Sequence, residues 1–176
     1  PIVCVDVVLQ RKVDHKVLLV KRNREPVRAV WWLPGGRLLK GETFFQAAER
    51  KIQGEIGISS GVTVKKVLGV YNTLFEKSAW AGSSTQTVNV LVYAVANGTA
   101  AELRRLNICG DRQGRCDDGK YGNFRWIDYK QKSGLDKYVL EALGALQFDA
   151  EHGKMLLDAL RRRGYDVISK HGATVD

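Results

Sequence analysis

The residues best suited to chemistry lie in one stretch, residues 33–58, which reads LPGGRLLKGETFFQAAERKIQGEIGI. Gly35 and Gly36 supply a turn whose backbone is open to a ligand, because it carries no Cβ atoms. Lys51 and Glu55 are spaced i and i+4 and therefore share the face of a predicted helix near that turn. A glycine-lined loop beside a carboxylate can hold a hydrated divalent cation and a diphosphate. The stretch therefore predicts a phosphate-handling site.

A helix must position these residues, and the sequence marks both of its ends. Thr43 and Gln46, three residues later, form a capping box, so the helix is predicted to begin near Phe44. Gly57 is predicted to end it, because glycine adopts the left-handed conformation of a helix C-terminus at little cost.

Glu55 has two interpretations. In one, it forms an exposed salt bridge with Lys51, which is worth roughly a few tenths of a kcal/mol. In the other, it binds Mg²⁺ together with a backbone carbonyl oxygen of Gly35 or Gly36. The surrounding residues favour the metal. A single carboxylate that faces a lysine cannot neutralise several divalent ions, so we expect one Mg²⁺ ion, with Mn²⁺ as an alternative.

Two further groups are candidates for substrate binding. Asp6 interrupts an apolar predicted strand, so it is either paired or functional, or else it faces water at a sheet edge. Lys21 and Arg22 follow a second predicted strand and suit a diphosphate, because arginine can bind two phosphate oxygens at once. The alternative for this basic pair is a solvated turn.

The remaining pattern is that of a mixed α/β chain. Predicted elements are a hairpin of strands 2–9 and 17–20, a long antiparallel pair 62–74 and 85–95, and two helices 134–148 and 149–163. Gln86 is a polar residue of the second long predicted strand and is a candidate substrate contact. The apolar faces of the two helices either cover the sheet or form a homodimer contact.

Stretch 33–58 resembles the Nudix box, G-x5-E-x7-R-E-U-x-E-E-x-G-U, where U is aliphatic. The matching residues are Gly36, Glu42, Arg50, Ile52, Glu55, Gly57 and Ile58. Lys51 and Gly54 replace two glutamates of the pattern. Within this superfamily the chain is most similar to the GDP-mannose mannosyl hydrolases, which lack the same two glutamates and use one Mg²⁺ ion.

The resemblance implies the Nudix α/β/α sandwich with a mixed β-sheet. It implies a single Nudix hydrolase domain over residues 1–176 that includes a C-terminal helical pair at about 134–163. It also implies that Glu42 and Arg50 form a structural ion pair and that Gly57 is a structural glycine of the motif.

The same resemblance implies roles for residues outside the helix. Arg22 would bind the nucleotide diphosphate, with Lys21 beside it, and Arg37 would contact the leaving diphosphate. Asp6 stands where the GDP-mannose hydrolases carry an aspartate, and is a candidate for both catalysis and substrate binding.

The glycine-rich segment 107–123 has no hydrophobic period and is predicted to be a long functional loop. In the GDP-mannose hydrolases this loop supplies a metal-binding glutamine and a catalytic histidine before a Tyr-Arg-Trp strand. Counting back from Phe124-Arg125-Trp126 places Tyr121 at the histidine position, although tyrosine has a reference pKa of about 10 and is a weak base at neutral pH. Asp117 or Asp118 takes that role if the loop shifts, and Gln113 then reaches the metal.

The expected activity is Mg²⁺-dependent hydrolysis of a nucleotide sugar, with GDP-mannose cleaved to GDP and mannose by water attack at the anomeric carbon. One alternative is a nucleoside-diphosphate-sugar pyrophosphatase. The other is an inactive Nudix domain that binds nucleotide or RNA. The missing histidine and Lys51 favour the inactive domain, whereas Glu42, Arg50 and Glu55 speak against it.

The composition sets the remaining expectations. The chain has 28 Lys and Arg against 19 Asp and Glu, and this net charge of +9 favours anionic partners such as nucleotides. Three cysteines are too few for a disulfide scaffold and indicate a reducing, cytoplasmic location. No apolar run reaches the length of about 18 residues that a membrane span requires. The run 161–163 of arginines lacks a stacking platform, so nucleic acid is not an expected partner.

Overall fold

The computed structural model describes residues 1–22, 25–78, 82–99, 103, 124–131 and 133–162; beyond Phe148 it describes only the side chain of Glu151. The strands are β1 (Ile2–Arg11), β2 (Lys16–Lys21), β3 (Trp31–Trp32), β4 (Gly35–Arg37), β5 (Val62–Phe75), β6 (Thr85–Ala96) and β7 (Phe124–Asp128). The helices are α1 (Phe44–Lys51), which continues into a π-helical turn (Ile52–Ile56), and α2 (Lys137–Arg162).

These strands form one mixed sheet in the order β3-β2-β1-β6-β5, with β4 paired to β1 and β7 paired to β2. β1 and β6 are parallel, from Ile2 beside Thr87 to Arg11 beside Ala96. The pairs β1–β2 and β5–β6 are antiparallel, as predicted. The predicted mixed sheet is therefore confirmed.

β1 is the central strand, and both of its faces are covered. Its alternating residues enter two different apolar clusters, which explains why the strand is apolar almost throughout. Toward α1 the cluster includes Val5, Val7, Leu9, Ala47, Ala48, Ile52 and Ile56. Toward α2 it includes Val8, Leu19, Trp32, Tyr138, Val139 and Leu143. One helical layer lies on each face of the sheet, and the predicted α/β/α sandwich is confirmed.

Helix α1 begins where its sequence signals predict. The Thr43 side chain accepts a hydrogen bond from the Gln46 backbone N–H at 3.2 Å, and the Gln46 side chain accepts from the Thr43 N–H at 2.9 Å. Gly57 ends the helical segment with φ +76°, in the left-handed region. The π-helical turn at Ile52–Ile56 was not predicted, and turns of this type are frequent at functional sites.

The structure corrects two sequence-based predictions. Gly35 and Gly36 were predicted to form a turn, but they belong to the short strand β4, because their backbone pairs with β1. The two predicted C-terminal helices are one helix, α2. The second helix was predicted to begin at Asp149. The helix is continuous at that position, because no proline or glycine interrupts it, and the Gln147 side chain donates to the Glu151 side chain at 2.7 Å across it.

No helix in the described part of the chain is long and apolar enough to cross a membrane.

Candidate active site

Glu42 and Arg50 form the predicted ion pair between the segment before α1 and the helix itself. Arg50 donates from Nη2 to Glu42 Oε2 at 2.8 Å and from Nε to Glu42 Oε1. Nη2 of Arg50 also donates to the backbone carbonyl of Arg37 at 3.1 Å, and the Leu39 N–H donates to Glu42 Oε2 at 2.9 Å. This network fixes the end of β4 against α1.

The same pair sets the charge of Glu42. Hydrogen bonding from the Arg50 guanidinium lowers the pKa of Glu42 from 4.5 to about 2. The carboxylate is therefore ionised at neutral pH, and both of its oxygens accept hydrogen bonds within this network.

The backbone of β4 lies unusually close to Asp6. Gly35 pairs with Asp6 across the β1–β4 ladder. A Cβ atom on Gly35 would lie 2.3 Å from Asp6 Oδ1 and 2.4 Å from the Val5 carbonyl oxygen. Only glycine fits at position 35, and the Asp6 carboxylate is packed directly against the glycine strand.

Asp6 does not face water at a sheet edge, so that interpretation of the sequence is wrong. It lies in the central strand, is 4% exposed, and accepts hydrogen bonds at Oδ2 from Asn89 Nδ2 at 2.5 Å and from the Tyr138 hydroxyl at 2.8 Å. Burial raises the pKa of Asp6, whereas the bonds from Asn89 and Tyr138 lower it. Burial and the charge of Asp6 raise the pKa of Tyr138, so this hydroxyl remains a donor.

Positive side chains from three elements gather near Cys4 of β1. Burial and the neighbouring Asp6 raise the pKa of the Cys4 thiol to about 11, against the lowering effects of Arg37, Lys51 and Arg22. Arg37 pairs with Cys4 across the β1–β4 ladder, whereas Lys51 at the end of α1 and Arg22 after β2 act on Cys4 through electrostatic interactions. Such a cluster favours a ligand with several negative charges.

Lys51 is also paired with Glu55. Its Nζ lies 2.7 Å from Glu55 Oε1. A Cβ atom on Gly36 would lie 2.6 Å from the same Nζ, so the ammonium group rests against the backbone of β4. The glycine strand, Lys51 and Glu55 therefore form one contact group.

Most of the chain matches a known protein family. The model of the NUDIX domain matches residues 1–139. The chain belongs to the Nudix family.

Curated Nudix relatives match a limited part of the chain. The ADP-ribose pyrophosphatase of Methanocaldococcus jannaschii is 40% identical over 73 residues, which is 42% of this chain and 41% of that protein. The low-salt glycan biosynthesis protein Agl8 of Haloferax volcanii is 36% identical over 78 residues, which is 44% of this chain and 47% of that protein. Each match spans less than half the length of the relative.

Solved Nudix structures share the fold over most of the chain. The MutT protein from Methanosarcina mazei Go1 superposes with a TM-score of 0.61 at 15% identity, covering 86% of this chain and 94% of that one. The NUDIX domain of Shewanella oneidensis NrtR, solved with ADP ribose, gives a TM-score of 0.57 at 20% identity, covering 83% and 86%. At these identities the likeness shows the fold alone.

Of the other predicted site residues of this Nudix chain, the structure describes Lys21 and Gln86 but not those of the glycine-rich loop. Lys21 lies at the end of β2, with Nζ 5.9 Å from the Trp31 ring centroid. Gln86 donates to Asn72 at 3.0 Å on the face of β6 opposite to Asn89 and Asp6, so the structure does not bring it to Asp6. Gln113, Asp118 and Tyr121 lie outside the described residues, and so does Asp117.

Sequence reasoning missed Asn89 and Tyr138 as partners of Asp6. Asn89 stood out only as a polar residue in an apolar strand, and the parallel pairing of β1 and β6 is needed to bring it to Asp6. Tyr138 is 132 residues from Asp6 in the chain, so no local pattern connects them. Its ring stacks on Trp32 with centroids 4.8 Å apart, which places the hydroxyl.

Nudix enzymes generally use divalent metal ions such as Mg²⁺. The described residues of this chain do not fit such an ion well. Among them no group of three or more His, Cys, Asp or Glu side chains could hold a metal. Glu55 accepts from Lys51, and Glu42 is held by Arg50. Mg²⁺ prefers several oxygen ligands in octahedral geometry. Here the Glu55 carboxylate already binds the positively charged ammonium group of Lys51.

Proposed function

We propose that the chain hydrolyses a nucleoside diphosphate sugar, with GDP-mannose as the first substrate to test. The observation that carries the proposal is that Arg37 pairs with Cys4 across the β1–β4 ladder of a Nudix fold, and that Arg22, Arg37 and Lys51 all act electrostatically on Cys4. A diphosphate carries the charge that such a cluster attracts, and a glycine backbone lets phosphate oxygens approach closely. Family membership supports a hydrolase.

In the proposed reaction, water attacks the anomeric carbon of the sugar. A bond forms between the water oxygen and that carbon, and the bond from the carbon to the phosphate oxygen breaks. The electron pair leaves with GDP, and a base accepts the proton from the water. Arg22 and Arg37 stabilise the charge that develops on the departing diphosphate. Asp118 and Tyr121 stay the predicted candidates for the base.

Asp6 is better suited to positioning than to proton transfer. Oδ2 already accepts two hydrogen bonds, and the group is almost fully buried. Arg22 acts on it electrostatically and lowers its pKa. We assign Asp6 the role of holding β4 and Arg22 in place for the diphosphate, rather than that of a catalytic residue.

The metal ion, two substrate contacts, the oligomeric state and the location remain predictions from the sequence. A single Mg²⁺ ion, held by Glu55, a carbonyl of Gly35 or Gly36, and Gln113, stays a prediction, and the contact between Lys51 and Glu55 argues against it. No step of the proposed reaction uses it. Substrate contacts by Lys21 and Gln86, a homodimer and a cytoplasmic location also stay predictions.

A second candidate function is cleavage of the phosphoanhydride of ADP-ribose or a similar compound. The observation that favours it is the 40% identity over 73 residues to the ADP-ribose pyrophosphatase of M. jannaschii. The basic cluster suits this substrate too, because it presents the same diphosphate. The two reactions differ in whether carbon or phosphorus is attacked.

The deciding experiment is incubation of the protein with GDP-mannose, and separately with ADP-ribose, in ¹⁸O-labelled water containing Mg²⁺. Mass spectrometry then identifies the labelled product. We expect GDP and ¹⁸O-labelled mannose. GMP and mannose phosphate, or AMP and ribose phosphate, would replace the proposal with the pyrophosphatase. Saturable binding of these compounds without turnover would replace it with an inactive binding domain.

A pair of arginine variants tests the role of the cluster. Arg37→Gln is expected to lower kcat/KM by about tenfold or more, because a charge-assisted contact to the diphosphate is lost. Arg28→Gln is the matched control, since Arg28 is an exposed arginine outside the cluster. Equal activity of the two variants would remove Arg37 from the site.

A further inference from the structure

The position of the Lys51 ammonium group carries a further inference. It lies 2.7 Å from Glu55 Oε1, and the two side chains are only 18% and 16% exposed. It also lies against Gly36, where an added Cβ atom would be 2.6 Å from Nζ and 2.8 Å from Cε. A positive charge thus stands between the Glu55 carboxylate and the backbone of the glycine strand.

This is the place predicted for the divalent ion, whose expected ligands were Glu55 and a carbonyl of Gly35 or Gly36. An ammonium group and a metal ion compete for one carboxylate, because each is positive and the two repel each other at contact distance. Glu42 cannot supply a second carboxylate, since Arg50 and the Leu39 N–H engage its oxygens.

We propose that Lys51 is the resident cation of this site, and that its ammonium group, rather than a divalent metal ion, occupies the position between Glu55 and Gly36 and meets the substrate diphosphate. Lysine is a common phosphate ligand that acts as a point charge. Glu55 then orients the lysine and is not a metal ligand. The contact with the diphosphate rests on the proposed function, whereas exclusion of the metal does not.

The local backbone supports this role. Lys51 is the last residue of α1, and the π-helical turn begins at Ile52, whose N–H is shared between the carbonyls of Ala48 and Glu49. Lys51 therefore directly precedes this irregular turn and Glu55 lies within it, while the Lys51 ammonium group rests against β4. A simple surface salt bridge would not also require contact with the glycine strand.

Titration with Mn²⁺, followed by electron paramagnetic resonance and calorimetry, tests the exclusion of metal. The variants are Lys51→Glu, Lys51→Met, Glu55→Gln and the double variant Lys51→Glu with Glu55→Gln. Lys65→Glu, at an exposed lysine of β5, is the control for added acidic charge. We expect Lys51→Glu to bind Mn²⁺ at least about tenfold more tightly than the wild type and the control, because affinity rises with the number of carboxylates.

The double variant is expected to lose that gain, and Lys51→Met is expected to bind Mn²⁺ more tightly than the wild type, because the competing positive charge is gone. A tight Mn²⁺ site in the wild-type protein that disappears in Glu55→Gln would overturn the inference, because Lys51 would then move aside for the metal. So would equal Mn²⁺ affinity in Lys51→Glu and Lys65→Glu. Thermal unfolding of each variant establishes that it is folded.

A separate arm measures binding of inorganic pyrophosphate in the presence of EDTA. We expect the wild type to bind it and Lys51→Met to bind about tenfold more weakly, with Lys65→Met unchanged. Equal binding by the wild type and Lys51→Met would overturn the contact between Lys51 and the diphosphate. If the wild type binds no pyrophosphate with or without Mg²⁺, the proposed function fails, and the Mn²⁺ titration still decides metal exclusion by itself.

Discussion

Arg50 and Lys51 are neighbours at the end of α1, yet they bind different carboxylates and therefore have different roles. Arg50 binds Glu42 and the Arg37 carbonyl, so it attaches the helix to the end of β4. Lys51 binds Glu55 and reaches Gly36. The first pair connects two elements of the fold, and the second lies where we propose that a substrate diphosphate meets the strand.

Glu42 should give the pair with Arg50 a defined pH dependence. The folded-state pKa of Glu42, about 2, is below its ordinary value of 4.5. A depressed carboxyl pKa contributes stability that is fully present above the unfolded value and is lost as the pH falls through the folded value. We therefore expect the stability advantage of the wild type over Glu42→Gln to be constant above about pH 5 and to shrink between pH 4.5 and 2.

Urea unfolding of both proteins across this pH range measures the effect. Glu49→Gln controls for the loss of one carboxylate, because Glu49 is an exposed residue of α1, close to Glu42 in the chain. An advantage that stays constant down to pH 2 would show that the Arg50 pair does not determine the charge of Glu42.

At the scale of the elements, local signals predicted helix α1 well, and long-range pairing explains what they missed. The capping box and Gly57 act within a few residues, so the sequence alone places both ends. β4 is different, because Gly35 and Gly36 become a strand only through pairing with β1. The π-helical turn likewise has no local signal in the pattern of residues.

Glycine substitutions should separate tight packing from open space. We expect Gly35→Ala to destabilise the protein by about 1–3 kcal/mol or more, because the new methyl group would lie 2.3 Å from Asp6 Oδ1 and force β4 away from β1. Gly144→Ala in α2 meets nothing within 4 Å and should stabilise the protein by about 0.5–1 kcal/mol. Chemical denaturation of both variants checks these opposite signs, and a neutral Gly35→Ala would contradict the close approach of the strands.

At the scale of the molecule, the Nudix box was enough to predict the α/β/α sandwich, but not the polar group at its centre. Asp6, Asn89 and Tyr138 come from β1, β6 and α2 and meet only when both the parallel strand pair and the second helical layer have formed. Each buried polar atom needs a hydrogen-bond partner, so these three side chains are satisfied only when β1, β6 and α2 adopt this arrangement. The aromatic contact between Trp32 and Tyr138 strengthens the same connection.

Tyr138→Phe tests that connection. It keeps the ring but removes a donor to a buried carboxylate, so we expect a loss of about 1–3 kcal/mol in the free energy of unfolding. The Tyr138 bond lowers the pKa of Asp6 against the effect of burial, so its loss raises that pKa further. A raised carboxyl pKa disfavours the folded state as the carboxylate ionises, so the loss should be smaller at acid pH and larger at neutral pH. Tyr71→Phe is the control, because the Tyr71 ring meets Tyr138 edge-on at 5.5 Å. Equal, pH-independent losses in the two variants would mean that the Tyr138 hydroxyl does not stabilise Asp6.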